Sequence, residues 1–199
     1  MLRRYGFIGA FKLLMSLIYT KLFFPGARLI RLPFDIRNKR NIIIGKGFTT
    51  GFGCRIEAYP KNDGEKVLFF GDNIEINDYV HIAAGEKIIF GNNVLIASKV
   101  FISDINHGRY TGESPDSPMS APNSRKLSTN PVTIRDNVWI GEGVCIMSGV
   151  TIGVGCVIGA SSVVTKDVPD FCIAVGSPAR VVKKFDFETN KWHPVKNVT

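Results

Sequence analysis

Cysteine is scarce and unpatterned. The four residues Cys54, Cys145, Cys156 and Cys172 form no CxxC pair. A chain of 199 residues is also too long for a disulfide scaffold, so reduced thiols in a cytosolic protein are expected. Histidine is scarcer still: His81, His107 and His193 lie far apart, and His193 falls near the end of the chain. A zinc site built on three histidines with a close pair is excluded, and no metal is expected. No run of about 20 residues is free of charge, because Lys12 and Lys21 interrupt residues 3–24. A spanning helix is therefore disfavoured. So is a signal peptide, since Lys12 breaks the apolar run and no small-x-small cleavage site follows. There is no GxxxxGK[ST] loop and no GxGxxG in a βαβ setting. The cations are scattered and no RNA-binding signature appears, so nucleic acid is not expected as a partner.

What is present is a globular composition. Apolar residues make up 45% and charged residues 21%, enough for a core, and the length suits one domain. Twenty glycines promise many turns. A net charge of +8 favours anionic partners, such as a phosphate-bearing cofactor or an acidic membrane surface.

Residues 1–26 read as an N-terminal amphipathic helix that ends at Pro25-Gly26. Lys12, Ser16 and Thr20 recur at i, i+4 and i+8, while Phe7, Phe11, Leu14 and Ile18 occupy another face. Two destinations remain open for that apolar face. It packs on the rest of the protein or on another subunit, or it lies in a membrane surface. Arg28, Arg31, Arg37, Lys39 and Arg40 continue the positive charge beyond the helix, which suits the second.

A six-residue repeat fills the middle of the chain. IRDNVW (134–139), IGEGVC (140–145), IMSGVT (146–151), IGVGCV (152–157), IGASSV (158–163) and VTKDVP (164–169) begin with Ile or Val six times out of six. The fifth position is small or β-branched each time. FGDNIE (70–75), INDYVH (76–81) and IAAGEK (82–87) share the register. So do FGNNVL (90–95), IASKVF (96–101) and ISDINH (102–107), with Ile88 and Ile89 inserted between the triplets. A weaker copy spans 44–55; residues 60–68 and 108–131 read as loop excursions. A period of six is too short for a helical repeat, but fits a short strand and a turn whose inward residues stack into one core. A sandwich of short strands lacks so fixed a register.

These hexads resemble those of the hexapeptide-repeat acyltransferases. The resemblance covers about residues 40–183 and implies an all-β fold: a left-handed parallel β-helix of about five coils over 27–183, followed by a short C-terminal tail, 184–199. Within the family, SDINHG (103–108) resembles the Asp-x-Asn-His segment of the maltose, galactoside and xenobiotic O-acetyltransferase branch. The resemblance implies that His107 is the general base, which suits neutral imidazole near pH 7. Asp104 or a main-chain carbonyl is expected to orient its ring. Asn77, in INDYVHI, matches an asparagine near the acceptor hydroxyl, although a plain turn residue fits it equally.

The cofactor side rests on the same resemblance. Trp139, in NVWIGEGV (137–144), is expected near the catalytic histidine and the thiol arm, or else as a coil-stacking aromatic. A backbone N–H around Gly141 and Glu142 is expected to face the developing oxyanion. Glu142 replaces the small residue usual there. Ala160 and its neighbours are expected along the pantetheine arm of coenzyme A. Thr165, Lys166, Arg180 and Lys183 are expected toward its nucleotide and phosphates, or else serve as ordinary surface charge.

Closest in the branch stand bacterial O-acetyltransferases of lipopolysaccharide O-antigen and related surface polysaccharides, on RRYGFIGAFKLL (3–14), GKGFTTGFG (45–53), LIASKVFISDINHG (95–108) and VKKFDFE (182–188). The resemblance implies an acetyl-CoA donor, direct attack by a sugar hydroxyl on the thioester, and a homotrimer with sites shared between subunits. It also implies a cytoplasmic enzyme, and a lipid-linked saccharide acceptor would suit a leader helix lying at the inner face of the bacterial inner membrane, one of the two destinations left open above. An acyltransferase acting on a free sugar, an antibiotic or a nucleotide-sugar amine, and a non-catalytic β-helix scaffold, are the other readings.

Overall fold

Ile and Val at every sixth position form the interior of a three-sided stack. The computed structural model describes residues 2–195. After one N-terminal helix, the chain runs through three parallel sheets in rotation. The first face holds Leu29–Ile30, Thr49–Thr50, Glu75–Ile76, Leu95–Ile96, Trp139–Ile140, Val157–Ile158 and Cys172–Gly176. The second holds Phe34–Arg37, Cys54–Ala58, His81–Ala84, Phe101–Ser103, Cys145–Ile146 and Val163–Val164. The third holds Ile42–Ile44, Leu68–Phe70, Ile88–Phe90, Val132–Ile134 and Thr151–Ile152.

Register is uninterrupted along each face. On the first, Ile76, Ile96, Ile140 and Ile158 align, and all are buried. On the second, Ile56, Ile82, Ile102 and Ile146 do the same. The fifth hexad position is also interior: Val138, Val144, Val150, Cys156, Ser162 and Val168 are all buried. One residue in each strand thus points inward from each face, and the next points out. At the corner entering the first face, Asn73, Asn93 and Asn137 take left-handed backbone and stack their amides at 3.2 and 3.3 Å.

Two excursions break the rotation. Residues 59–67 leave after the second face and return in time for Leu68 to join the third. The longer one opens as an antiparallel hairpin, Ile105–His107 paired with Leu127–Thr129, so it begins three residues before the expected 108. The two-residue insertion falls at the corner 85–87, and Ile88 and Ile89 belong to the strand that follows.

Both ends depart from expectation. The expected tail is a continuation of the first sheet: Ala179–Asp186 pairs antiparallel with Cys172–Gly176, and Lys191–Pro194 pairs with it in turn. The last four residues of that tail, Met1 at the head of the expected helix, and the side chains of Arg3 and Arg4 lie outside the described residues. The helix Leu2–Phe23, kinked at Gly6, covers the open edge of the stack. It docks by its hydroxyl side. Thr20 Oγ1 accepts from Ile30 N at 2.8 Å and Ser16 Oγ accepts from Leu32 N at 3.1 Å. Its apolar face points outward, so packing on the body of the same chain does not account for that face.

Candidate active site

His107 stands where the second face gives way to the excursion. The turn after the second face places Asp104 inward and releases the hairpin outward. Asp104 is fully buried, and its carboxylate accepts from Gly85 N at 2.6 Å, Glu86 N at 2.9 Å and Lys87 N at 2.7 Å. It therefore neither contacts an acceptor nor orients the histidine ring; it pins the corner that absorbs the two-residue insertion. Asn106 donates to Ser148 Oγ at 2.6 Å, tying the hairpin to the next turn of the stack. The His107 carbonyl accepts from the Tyr110 hydroxyl. The ring itself is exposed and has no hydrogen-bond partner among the described residues.

Gly108 lets the chain swing away. Its φ is 108°, and a Cβ there would meet Arg125 Cδ at 3.0 Å and Asp116 Oδ2 at 3.1 Å. Asp116 closes the excursion by accepting from Arg109 N at 2.7 Å, and Arg125 donates to Ser120 O at 2.7 Å. Between this loop and residues 59–67 opens a cavity of about 940 Å³. Lys61, Glu86, Asn106, Lys126, Thr129 and Asn130 line it, while the His107 ring does not. No sequence motif marked this cavity, because the two excursions that build it have no period.

The remaining expected residues fall at four places on the stack. Thr165 and Lys166 are exposed and follow the second face, along the same edge of the stack as His107. Trp139 points out from the first face, 52% exposed, between Leu95 and Val157 in register. Gly141, Glu142 and Ala160 turn from the first face to the second, and Asn77 lies on that same edge. Arg180 and Lys183 are exposed on the antiparallel strand added to the first sheet.

In a three-sided stack, the edge between the second and third faces is opposite the first face. One chain therefore does not bring Trp139 to His107. It also separates Asn77 from His107, and the Asn77 carboxamide donates to Ile96 O at 3.0 Å, as a turn residue would.

Gly141 also has a different part from the one expected. Its N–H donates to Ile158 O at 2.8 Å and is spent in the ladder. A Cβ at this position would sit 2.7 Å from Ala160 N, so the glycine permits the close approach of successive turns. The N–H of Glu142 is different. At the corresponding corner of an earlier turn, Phe52 N donates to Asp78 Oδ1 at 2.7 Å. Stacked on Glu142 is Ala160, which carries no side-chain acceptor. The Glu142 N–H thus has no stacked side-chain acceptor, and it lies three residues after the exposed Trp139. The Glu142 carboxylate reaches Lys99 at 3.3 Å, an exposed pair worth at most about 1 kcal/mol. Lys166, Arg180 and Lys183 have no ion-pair partner among the described residues, which suits phosphate recognition.

Sequence reasoning missed a second polar cluster on the second face. The Glu57 side chain is 4% exposed and meets Arg37 at 2.6 Å, Arg55 at 3.2 Å and His81 at 2.8 Å. It also accepts from the Tyr59 hydroxyl at 2.7 Å. Burial pushes the carboxyl up, but Tyr59, His81, Arg55 and Arg37 outweigh it and hold the group below its ordinary value. Apart from His81, which closes the hexad INDYVH, these residues lie in or beside the weak copy at 44–55, and no motif links them along the chain. Among the described residues, no group of three or more His, Cys, Asp or Glu is placed to hold a metal.

A stack of parallel three-sided repeats, with an exposed imidazole at one edge and unpaired cations both on that edge and on the strand added to the opposite face, defines a class: hexapeptide-repeat group-transfer enzymes. The bacterial transferase hexapeptide family model (six repeats) matches residues 131–166. The putative lipopolysaccharide biosynthesis O-acetyl transferase WbbJ of Escherichia coli K12 is 42% identical over 191 residues, spanning 96% of this chain and 95% of that protein. A galactoside acetyltransferase solved in complex with coenzyme A is 32% identical, with a TM-score of 0.52 over 75% of this chain and 74% of its own. AntD, an N-acyltransferase from Bacillus cereus, shares the fold with a TM-score of 0.67 at 24% identity, over 87% of this chain and 91% of its own. The chain belongs to the hexapeptide-repeat transferase family, and it is an acetyltransferase.

Proposed function

We propose that this protein is an O-acetyltransferase. It moves acetyl from acetyl-CoA to a hydroxyl of a bacterial surface-polysaccharide sugar, of the lipopolysaccharide O-antigen kind. One observation carries the reading: His107 and Trp139 occupy an edge and the face opposite it, on a chain that matches an O-acetyltransferase relative along nearly its whole length. Residues so separated share a cleft when two copies pack side by side. The assembly we infer is a homotrimer of left-handed β-helices, each of five turns, with His107 of one copy facing Trp139 of the next. The enzyme works in the cytoplasm.

In this arrangement His107 accepts the proton of the sugar hydroxyl. The oxygen forms its bond to the thioester carbonyl carbon. The carbonyl oxygen, now an anion, takes a hydrogen bond from the Glu142 N–H. As the C–S bond breaks, the imidazolium returns its proton to the departing thiolate, giving ester and free thiol. Trp139 packs against the thiol arm, Ala160 lies along it, and Thr165, Lys166, Arg180 and Lys183 take the nucleotide end. Asn77 keeps its place near the acceptor across the boundary.

The test is acetyl-CoA turnover with a panel of free sugars, nucleotide-sugar amines and lipid-linked oligosaccharides. Polysaccharide-type acceptors should turn over, and His107→Ala should lower the rate by about 10²–10⁴ with the fold intact. Unchanged turnover in the variant rejects the role of His107. Preference for an amine or an antibiotic acceptor rejects the substrate class, and no binding of coenzyme A leaves the scaffold reading.

A further inference from the structure

The N-terminal helix is attached to the stack by its polar side. Ser16 and Thr20, 3% and 2% exposed, cover the backbone of the edge strand, and the opposite side is left in solvent. Phe7 is 84% exposed, Ile8 75%, Phe11 64%, Leu14 52%, Ile18 46% and Leu22 70%. At 3.6 residues per turn these six share an arc of roughly 120°. Lys21 borders the arc on one side and Lys12 on the other. Because the helix covers the terminal edge of the stack, this apolar arc faces away from the coils, along their axis.

The charge distribution is concentrated at the same end. Residues 1–40 hold nine of the chain's 25 Lys and Arg and one of its 17 Asp and Glu. The other 159 residues hold sixteen of each sign, so the entire net charge of +8 belongs to the helix and the first strands. We propose that this end of the molecule docks on an anionic phospholipid surface, with the apolar arc among the acyl chains and the lysines at the headgroups. A second copy fits less well, since two such ends brought face to face would oppose like charges. The stretch Tyr5–Phe23 is long and apolar enough, by length and composition, to cross a membrane. Crossing would tear Ser16 and Thr20 from the edge strand and orphan the N–H groups of Ile30 and Leu32.

Docking fixes the height of the site. The hairpin of His107 leaves the second face three strands from the edge, about 14 Å at the usual strand spacing. The helix adds about 10 Å. On the reading of the function proposed above, the reacting hydroxyl then sits about 25 Å from the lipid surface, which suits a sugar carried several residues out on a lipid anchor.

The experiment is co-sedimentation of the full chain with vesicles of phosphatidylcholine, with and without phosphatidylglycerol. Binding should be at least tenfold tighter with phosphatidylglycerol, should weaken with salt, and should be released by alkaline carbonate. The double variant Phe11→Glu/Ile18→Glu should lose at least tenfold in binding, and Lys12→Gln/Lys21→Gln should lose the preference for phosphatidylglycerol. Binding that ignores lipid charge, or none at all, overturns the proposal. So does carbonate resistance, which marks a spanning helix, and so does a drop in oligomer mass with vesicle binding unchanged, which marks a second copy. Turnover on a soluble sugar is measured alongside: it should survive in both variants, so loss of docking and failure of the proposed function are read separately.

Discussion

The Asp104 carboxylate lies 2.6 Å from the backbone nitrogen of Gly85, and by holding that corner it fixes where the hairpin of His107 departs. Three N–H groups converge on this one buried side chain. Asp104→Ala leaves all three without a partner, at about 1–3 kcal/mol each. The expected loss of stability is at least about 3 kcal/mol, read by urea denaturation. Asp104→Asn should lose less, since its carbonyl oxygen still accepts. A variant as stable as the parent would show that the corner is held by other contacts.

The buried Glu57 makes stability depend on acid. Its folded pKa lies below the ordinary 4.5, so its contribution is complete above that value and is lost as pH falls through the folded pKa. Glu57→Gln should cost about 2 kcal/mol at neutral pH, the scale of a charged hydrogen bond. The gap between parent and variant should close in acid, once pH has fallen through the lowered folded pKa and the parent carboxyl is itself protonated. Thermal melts at both pH values check this; a gap that stays constant with pH would remove the carboxylate from the account.

The thiols should separate by burial. Burial raises the pKa of Cys54, Cys156 and Cys172, while Cys145 is partly exposed on the second face. A thiol reagent at neutral pH should modify Cys145 in the native protein and the other three only on unfolding. Counting modified thiols with and without denaturant decides it. Rapid native labelling of Cys54 would mean that its turn opens locally.

The cations proposed to take the cofactor should act on binding and spare the chemical step. Arg180→Ala and Lys183→Ala remove exposed, unpaired charges from the strand added to the first sheet. Each should raise the KM for acetyl-CoA about tenfold or more, the worth of a charge-assisted hydrogen bond, with kcat little changed. An unchanged KM would return both to ordinary surface charge.

The core was legible because burial imposes a period. Ile134, Ile140, Ile146, Ile152 and Ile158 are fully buried, and each was marked by its place in the hexad. The place of His107, exposed where the stack gives way to the hairpin, was legible because a recognisable segment carried it, while its part in the reaction is a proposal. Asp104 was not, since a carboxylate next to a histidine reads as chemistry and only coordinates reveal that three backbone groups claim it. The helix deceived in another way. Its exposed arc is apolar, yet Leu13 and Leu17 lie on the inner side too, so the helix is only weakly amphipathic; the side chains that face the body most closely are the hydroxyls of Ser16 and Thr20, because an edge strand needs hydrogen-bond partners. Trp139 was expected near His107, yet one chain does not bring the two together: a hexad count gives the face a residue sits on, while proximity in an assembly depends on how whole prisms pack.

That last relationship yields the sharpest expectation. Should His107 of one copy work with Trp139 of its neighbour, two inactive variants can complement each other. Mixed trimers of His107→Ala and Trp139→Ala chains contain boundaries where an intact His107 meets an intact Trp139. Random mixing places both at about one quarter of the boundaries, so about one quarter of the wild-type activity should return on co-expression. The doubly substituted chain co-expressed with either single variant restores no such boundary and serves as the control. Absence of recovery in tagged, purified mixed trimers would put both residues in the service of one chain, and the opposed faces of the stack would need another explanation.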